Sequence, residues 1–194
     1  MCRILHIMNV SRLAIDIDEV LMPFAKPMSK WRGYKMPTNK HAYVYTDMFN
    51  ISEKESRSMV KEFYFSDEIK VIKPIPYSRR KLQEFRPKVK KIYAVTGRQS
   101  EARDITEEWL QKYFPDIFDD LIITNSYTIN EVNKADICRS LDIDIIIDDM
   151  YSTCKMCKHA GTNAIHFSGF SKKRYNWCDR NDMSVIGWEN IFIN

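Results

Sequence analysis

The sequence predicts an α/β fold, an open parallel sheet with helices on both faces, and three observations carry that prediction. Apolar runs of strand length alternate with helical periodicity through most of the 194 residues. Several of those runs stop abruptly at polar groups, which is how a strand reads when it reaches the rim of an open sheet. One stretch, 22–77, breaks the alternation with helical patterning, which marks it as an insertion.

The first core strand is expected over 12–17, where Leu13-Ala14-Ile15 runs into Asp16-Ile17-Asp18. Two carboxylates one residue apart repel unless positive charge lies beside them. A divalent metal would supply that charge, and a phosphate-handling reaction would supply the reason for it. In the insertion, Ser52-Glu53-Lys54-Glu55 is a capping box opening a helix that carries Met59, Val60, Phe63 and Tyr64 at helical spacing. Pro74 and Pro76 end the insertion and return the chain to the core. A helix over 78–86 precedes a strand over 91–96, which ends in Thr96-Gly97-Arg98. A helix over 100–113 and a strand over 121–124 follow. Lys134 opens a helix over 133–141 that includes Ile137, Cys138 and Leu141. The strand over 143–148 runs into Asp148-Asp149, and a helix over 151–160 stops at Gly161 before a strand over 163–167. The resulting division is a core of 1–21 and 78–194 with a helical cap at 22–77.

A content of 44% apolar and 29% charged residues is ordinary for a globular chain. The net charge of +4 suits an anionic substrate and does not argue for long nucleic acid, which asks for a clustered basic face. No apolar run approaches the ~20 residues of a membrane span. Met1–Val10 is too short for a secretory signal and is expected to be a lead-in to the first strand. The cysteines (Cys2, Cys138, Cys154, Cys157, Cys178) are odd in number and scattered, which speaks against a disulfide framework and for a cytoplasmic, reducing location. Cys154-x-x-Cys157 lacks the second pair a zinc site would want. At i and i+3 of a helix, the two thiols are expected to pack as small apolar groups. The tail from His166 to Asp182, with Lys172, Lys173, Arg174, Tyr175 and Trp177, reads as a solvated loop.

Asp-x-Asp-x-Val, then Thr, then Lys, then Asp-Asp is a four-part order in which three parts stand at strand ends. In this order the chain resembles the haloacid dehalogenase-like (HAD) hydrolases, over nearly its whole length from about Leu13 onward. The resemblance implies a Rossmann-like core with a small helical cap inserted after the first strand. Within that superfamily the intervening text is most similar to the 5'(3')-deoxyribonucleotidases. The matching stretches are Tyr45–Ser52, Ile72–Tyr77, Ala94–Arg98, Lys134–Cys138 and Ile147–Asp149.

The implied activity is that of a Mg²⁺-dependent phosphomonoesterase acting on a small phosphorylated metabolite, foremost a (deoxy)nucleoside 5'-monophosphate. Asp16 would be the nucleophile, forming an aspartyl-phosphate, and Asp18 the general acid and base. The metal set would be Asp16, Asp18 (through its main-chain carbonyl), Asp148 and Asp149, since Mg²⁺ prefers oxygen ligands. Thr96, Gly97 and Arg98 would receive the phosphate, and Lys134 would neutralise it and restrain Asp16; a solvent-facing role for Arg98 stays open. Glu19 stands where many nucleotidases carry Gly and adds a third acid near the metal. Trp31, Tyr43, Tyr45 and Phe49 read as a small cap core, with stacking on a base as the other option. Asn176-Trp177 reverses a Trp-Asn pair often seen in the resembled family, and no function is carried onto it. Two further readings remain, a phosphatase for protein or nucleic-acid-end phosphates and a non-catalytic binding module of the same fold. A homodimer is among the states the sequence allows.

Overall fold

The structure, a computed structural model, describes residues 5–7 and 10–193. Cys2 and part of the Met1–Val10 lead-in lie outside them. The core elements in chain order are β1 (Leu5–Ile7), β2 (Arg12–Ile15), α1 (Ala25–Arg32), α2 (Tyr45–Phe49), α3 (Glu53–Tyr64), α4 (Asp67–Val71), α5 (Ser78–Phe85), β3 (Lys91–Thr96), α6 (Arg103–Tyr113), β4 (Asp120–Ile123), α7 (Lys134–Ser140), β5 (Ile145–Asp148), α8 (Tyr151–His159) and β6 (Asn163–Phe167). The short strands β7 (Gly169–Phe170), β8 (Lys173–Arg174), β9 (Ser184–Val185) and β10 (Ile191–Ile193) complete the chain.

Six strands form one parallel sheet in the order β4-β3-β2-β5-β6-β9. The chain starts in the middle at β2, steps outward to β3 and β4, then returns to the other side of β2 and steps outward through β5, β6 and β9. The direction of winding therefore reverses between β2 and β5, and that junction is where such sheets open a crevice at the carboxyl ends of their strands.

Alternation along the strands divides the core. Leu13 and Ile15, Ile92 and Ala94, and Ile145 and Ile147 join one large cluster with Met28, Met59, Phe63, Leu82, Phe85 and Trp109. Ala14, Val95 and Ile146 face the other way, against Ala135 and Cys138 of α7 and Cys157 of α8. The period of two that places successive side chains on opposite faces thus accounts for both layers. The described cysteines are free and buried; Cys138 and Cys157 belong to this second cluster, while Cys154 turns its Sγ toward the carbonyls of Asp148 and Ile165.

Local signals explain the boundaries. Ser52 Oγ accepts from Glu55 N at 3.2 Å and starts α3, while Glu55's own carboxylate accepts from the Tyr34 hydroxyl at 2.8 Å. Asn133 caps α7 by accepting from Ala135 N at 2.8 Å, which leaves Lys134 in the first turn. Gly161, at φ 94°, lies just beyond the C-terminal end of α8. The 22–77 segment departs and returns at one place, because Ile75 N donates to Leu21 O at 2.7 Å. Its helices α1 and α3 share the large cluster with the sheet through Met28, Met59 and Phe63.

Several expectations are adjusted. β2 ends at Ile15, so Asp16 and Asp18 lie in the loop beyond the strand rather than inside 12–17. The stretch expected to be a plain lead-in contains β1, which pairs in parallel with β10 at the far end of the chain. The 166–182 tail contains the end of β6 and the β7–β8 pair and packs on the core through Phe170 and Tyr175. No helix among the described residues is long and apolar enough to cross a membrane. Ile15 lies fully buried at the centre of the sheet. Ile15→Ala is expected to cost about 2–5 kcal/mol in urea unfolding, through lost burial and the cavity left behind.

Candidate active site

The site is built at the β2/β5 junction. Register aligns Ile15 with Ile147, and Asp16 N continues the ladder by donating to Ile147 O at 2.9 Å. Asp16 and Asp148 are therefore side by side at the ends of neighbouring strands, with Asp149 next in line. The three are buried, and each offers an oxygen within 4.8 Å of the others.

Lys134 reaches this cluster from the first turn of α7. Its Nζ donates to Asp148 Oδ2 at 2.7 Å and stands 2.9 Å from Asp16 Oδ1. Asp16 Oδ1 is buried without an aligned hydrogen-bond donor. Burial pushes the Asp16 carboxyl up to about 7; Lys134 opposes that shift, while Asp148 and Asp18 add to it. Burial also raises Asp149 well above the carboxylate range, reinforced by Asp148 and Asp16. Burial alone would lower Lys134, but the two carboxylates outweigh it and hold the ammonium firmly charged. Its partners are thus Asp16 and Asp148.

Three carboxylates around one ammonium leave two negative charges uncompensated when all are ionised, which is the charge of one divalent cation. An all-oxygen donor set whose negative charge a single ammonium does not balance fits Mg²⁺. Asp16, Asp148 and Asp149 are the residues that could hold it.

Asp18 is placed differently from the other expected ligands. Its carboxylate receives Arg98 Nη2 at 2.6 Å and Nε at 3.1 Å. Arg98 is 1% exposed and also donates to Thr106 Oγ1 at 2.9 Å, with Phe24 and Tyr64 flanking its plane. The guanidinium is neither solvent-facing nor open to a phosphate, because a buried bidentate pair with Asp18 engages it. Thr96 ends β3, fully buried, and its Oγ1 accepts from Arg98 N at 3.3 Å. At Gly97 a Cβ would meet Ser126 Oγ at 3.0 Å, so close approach of the 126 loop needs the missing side chain.

Glu19 does not join the acidic cluster. It adopts φ 62°, a left-handed conformation that favours Gly. Its Oε1 accepts from Phe24 N at 2.9 Å and Ala25 N at 2.6 Å, which caps the start of α1. Burial nevertheless raises this carboxyl to about 7, against the pull of those two N–H groups. The loop carrying Asp16–Met22 is pinned from the far end of the chain, as Trp188 Nε1 donates to Val20 O at 2.8 Å and the Tyr175 hydroxyl to Glu19 O at 2.6 Å.

The contact that the sequence did not reveal comes from Trp177, whose Nε1 donates to Asp149 Oδ2 at 3.3 Å. Asp149's main-chain oxygen meanwhile accepts from His166 Nε2 at 3.0 Å. Asn181 Nδ2, 2.8 Å from His166 Nδ1, fixes the tautomer that allows this. The hints in the sequence were an aromatic-rich stretch in an otherwise basic tail and the Asn176-Trp177 pair, onto which no function was carried. Of the aromatics in the 22–77 segment, Trp31 packs on Phe63 at 5.5 Å in the core, whereas Tyr43 lies 4.8 Å from the Trp177 ring.

Solved structures place this architecture. The fold is the haloacid dehalogenase-like one. A HAD-like family hydrolase from Streptococcus pneumoniae superposes with TM-score 0.61 at 12% identity, covering 95% of this chain and 94% of that one. A Clostridium difficile protein described as a phosphatase gives 0.57 at 13% identity, covering 96% and 94%. The HAD hydrolase YfnB of Bacillus subtilis, solved with magnesium bound, gives 0.53 at 12% identity, covering 82% and 89%. No family profile matches the chain, and no curated protein matches it in sequence.

In chelator, stability is expected to fall as pH rises from about 4 to 7. Asp16 keeps its proton to about 7 when folded but loses it near 3.8 when unfolded, so the native state binds more protons across that window. Melting temperatures measured against pH should show the decline, and Asp16→Asn should make it shallower, the remainder coming from the raised carboxyls of Glu19 and Asp149.

Proposed function

We propose that this chain is a Mg²⁺-dependent phosphomonoesterase acting on a small phosphorylated metabolite, with (deoxy)nucleoside 5'-monophosphates as the first substrate class. The observation that carries the reading is the meeting of Asp16, Asp148, Asp149 and Lys134 at the β2/β5 junction. The nucleotide class rests on the resemblance of the stretches around Tyr45, Ile72 and Ala94 to deoxyribonucleotidases.

In this reading Asp16 attacks phosphorus in line, forming an aspartyl-phosphate as the ester oxygen departs. Asp18, oriented by Arg98, gives that oxygen a proton and later takes one from the water that cleaves the acyl phosphate. Lys134 holds Asp16 in place and offsets charge on the phosphoryl oxygens. Thr96 and the N–H groups that follow it receive one of those oxygens. Bound at Asp16, Asp148 and Asp149, Mg²⁺ would supply the Lewis acid that allows a carboxylate to approach a phosphate.

Residues 22–77 act as a cap over a core of 1–21 and 78–194, which favours small substrates over proteins or nucleic-acid ends. Free buried thiols at Cys138, Cys154, Cys157 and Cys178 suit a reducing compartment, and the reading places the enzyme in the cytoplasm.

Phosphate release from a panel of mononucleotides, with and without Mg²⁺, tests the activity. Asp16→Asn is expected to lower turnover by about 10⁴-fold or more with an unchanged circular dichroism spectrum. Full activity in that variant would refute the nucleophile, and no Mg²⁺-stimulated release from any phosphomonoester would refute the enzyme.

A further inference from the structure

Trp177 joins two parts of the molecule that are far apart in sequence. On one side its indole N–H holds Asp149 Oδ2. On the other, its ring is stacked on Tyr175, with centroids 4.4 Å apart and planes 7° from parallel, and is met by Tyr43 from the 22–77 segment at 4.8 Å. Tyr175 is itself tied down by its hydroxyl on Glu19 O.

The backbone around this clasp is stitched as well. Asn176 Nδ2 donates to Pro37 O and Thr38 O, both at 3.1 Å, and Asn176 O accepts from His41 N at 3.4 Å. Lys40 pairs with Asp179 at 2.6 Å. The 37–45 stretch and the 175–179 loop thus dock on each other with the Trp177 ring between them.

We infer that Trp177 is a positioning residue of the acidic cluster, and that through its clasp between Tyr175 and Tyr43 it makes cation affinity depend on the docking of the 37–45 stretch. This rests on the Mg²⁺ site of the proposed function and goes beyond it. The physical argument is directional. A carboxylate held by one oxygen presents its other oxygen in a set direction, and Asp149 is fixed twice, by the indole at the side chain and by His166 at the main chain. Outer partners of this kind orient ligands against their mutual repulsion, and their loss weakens metal binding by about 10–100-fold. Because the indole cannot move without breaking its stack on Tyr175 and its contact with Tyr43, undocking of the 37–45 stretch loosens a ligand of the cluster. The cap and the ion are coupled through one ring.

Isothermal titration of the full chain with Mg²⁺ tests this. Trp177→Phe keeps an aromatic ring in the stack and removes the N–H. It is expected to weaken Mg²⁺ binding about tenfold or more, with a melting temperature in chelator equal to that of the wild type. Asn176→Ala leaves the ring untouched, removes the stitch to Pro37 and Thr38, and is expected to weaken binding severalfold. Wild-type affinity in Trp177→Phe overturns the positioning role, and wild-type affinity in Asn176→Ala overturns the coupling. Should Trp177→Phe fail to fold, Asn176→Ala decides alone, since its side chain lies on the surface. Failure of the wild type to bind Mg²⁺ overturns both this inference and the proposed function, whereas intact wild-type binding with indifferent variants overturns the inference only.

Discussion

The arrangement of this protein depends on a buried excess of negative charge. Asp16, Asp148 and Asp149 sit at the junction of β2 and β5 with Lys134 as the ammonium that pairs with Asp16 and Asp148. Burying carboxylates is costly unless they are paired, hydrogen-bonded or given a metal. The raised carboxyl of Asp16 records that cost. Parallel strands that end at the same level bring the acids together, and only the packed layers on both faces keep them there.

The other acids nearby are kept out of the cluster by specific partners. Arg98 draws Asp18 aside with a two-pronged contact, and the N–H groups of Phe24 and Ala25 draw Glu19 toward the start of α1. Five acids within a short reach thus find three different settings (acidic cluster, oriented side chain, helix cap) according to which donors face them. A guanidinium buried between Phe24, Tyr64 and Thr106 is a rigid donor, so Asp18 is presented in a fixed orientation.

Likeness to solved HAD-type structures at 12–13% identity shows how little the architecture asks of individual residues. Strand order and layer packing survive because many apolar side chains of suitable volume satisfy them. Function lives in the few side chains at the strand ends, so the case for phosphate chemistry stands on their geometry and not on the fold.

Much of the architecture was legible in the sequence. Buried runs such as Leu13–Ile15, Ile92–Val95 and Ile145–Ile147 mark core strands, because a strand covered on both faces has few polar residues along it. The strand-end acids and Lys134 were visible for the same reason, each standing next to an apolar run. Strands as short as β9 and β10, two and three residues long, carry no period to detect. Only the tertiary structure decided that Arg98 is buried against Asp18, 80 residues away, and that Trp177 leaves its basic tail for Asp149, 28 residues away. A local pattern records which face of a segment is dry. The partner of a polar group is chosen by which distant loop closes over it, and closure is a property of the whole packed chain.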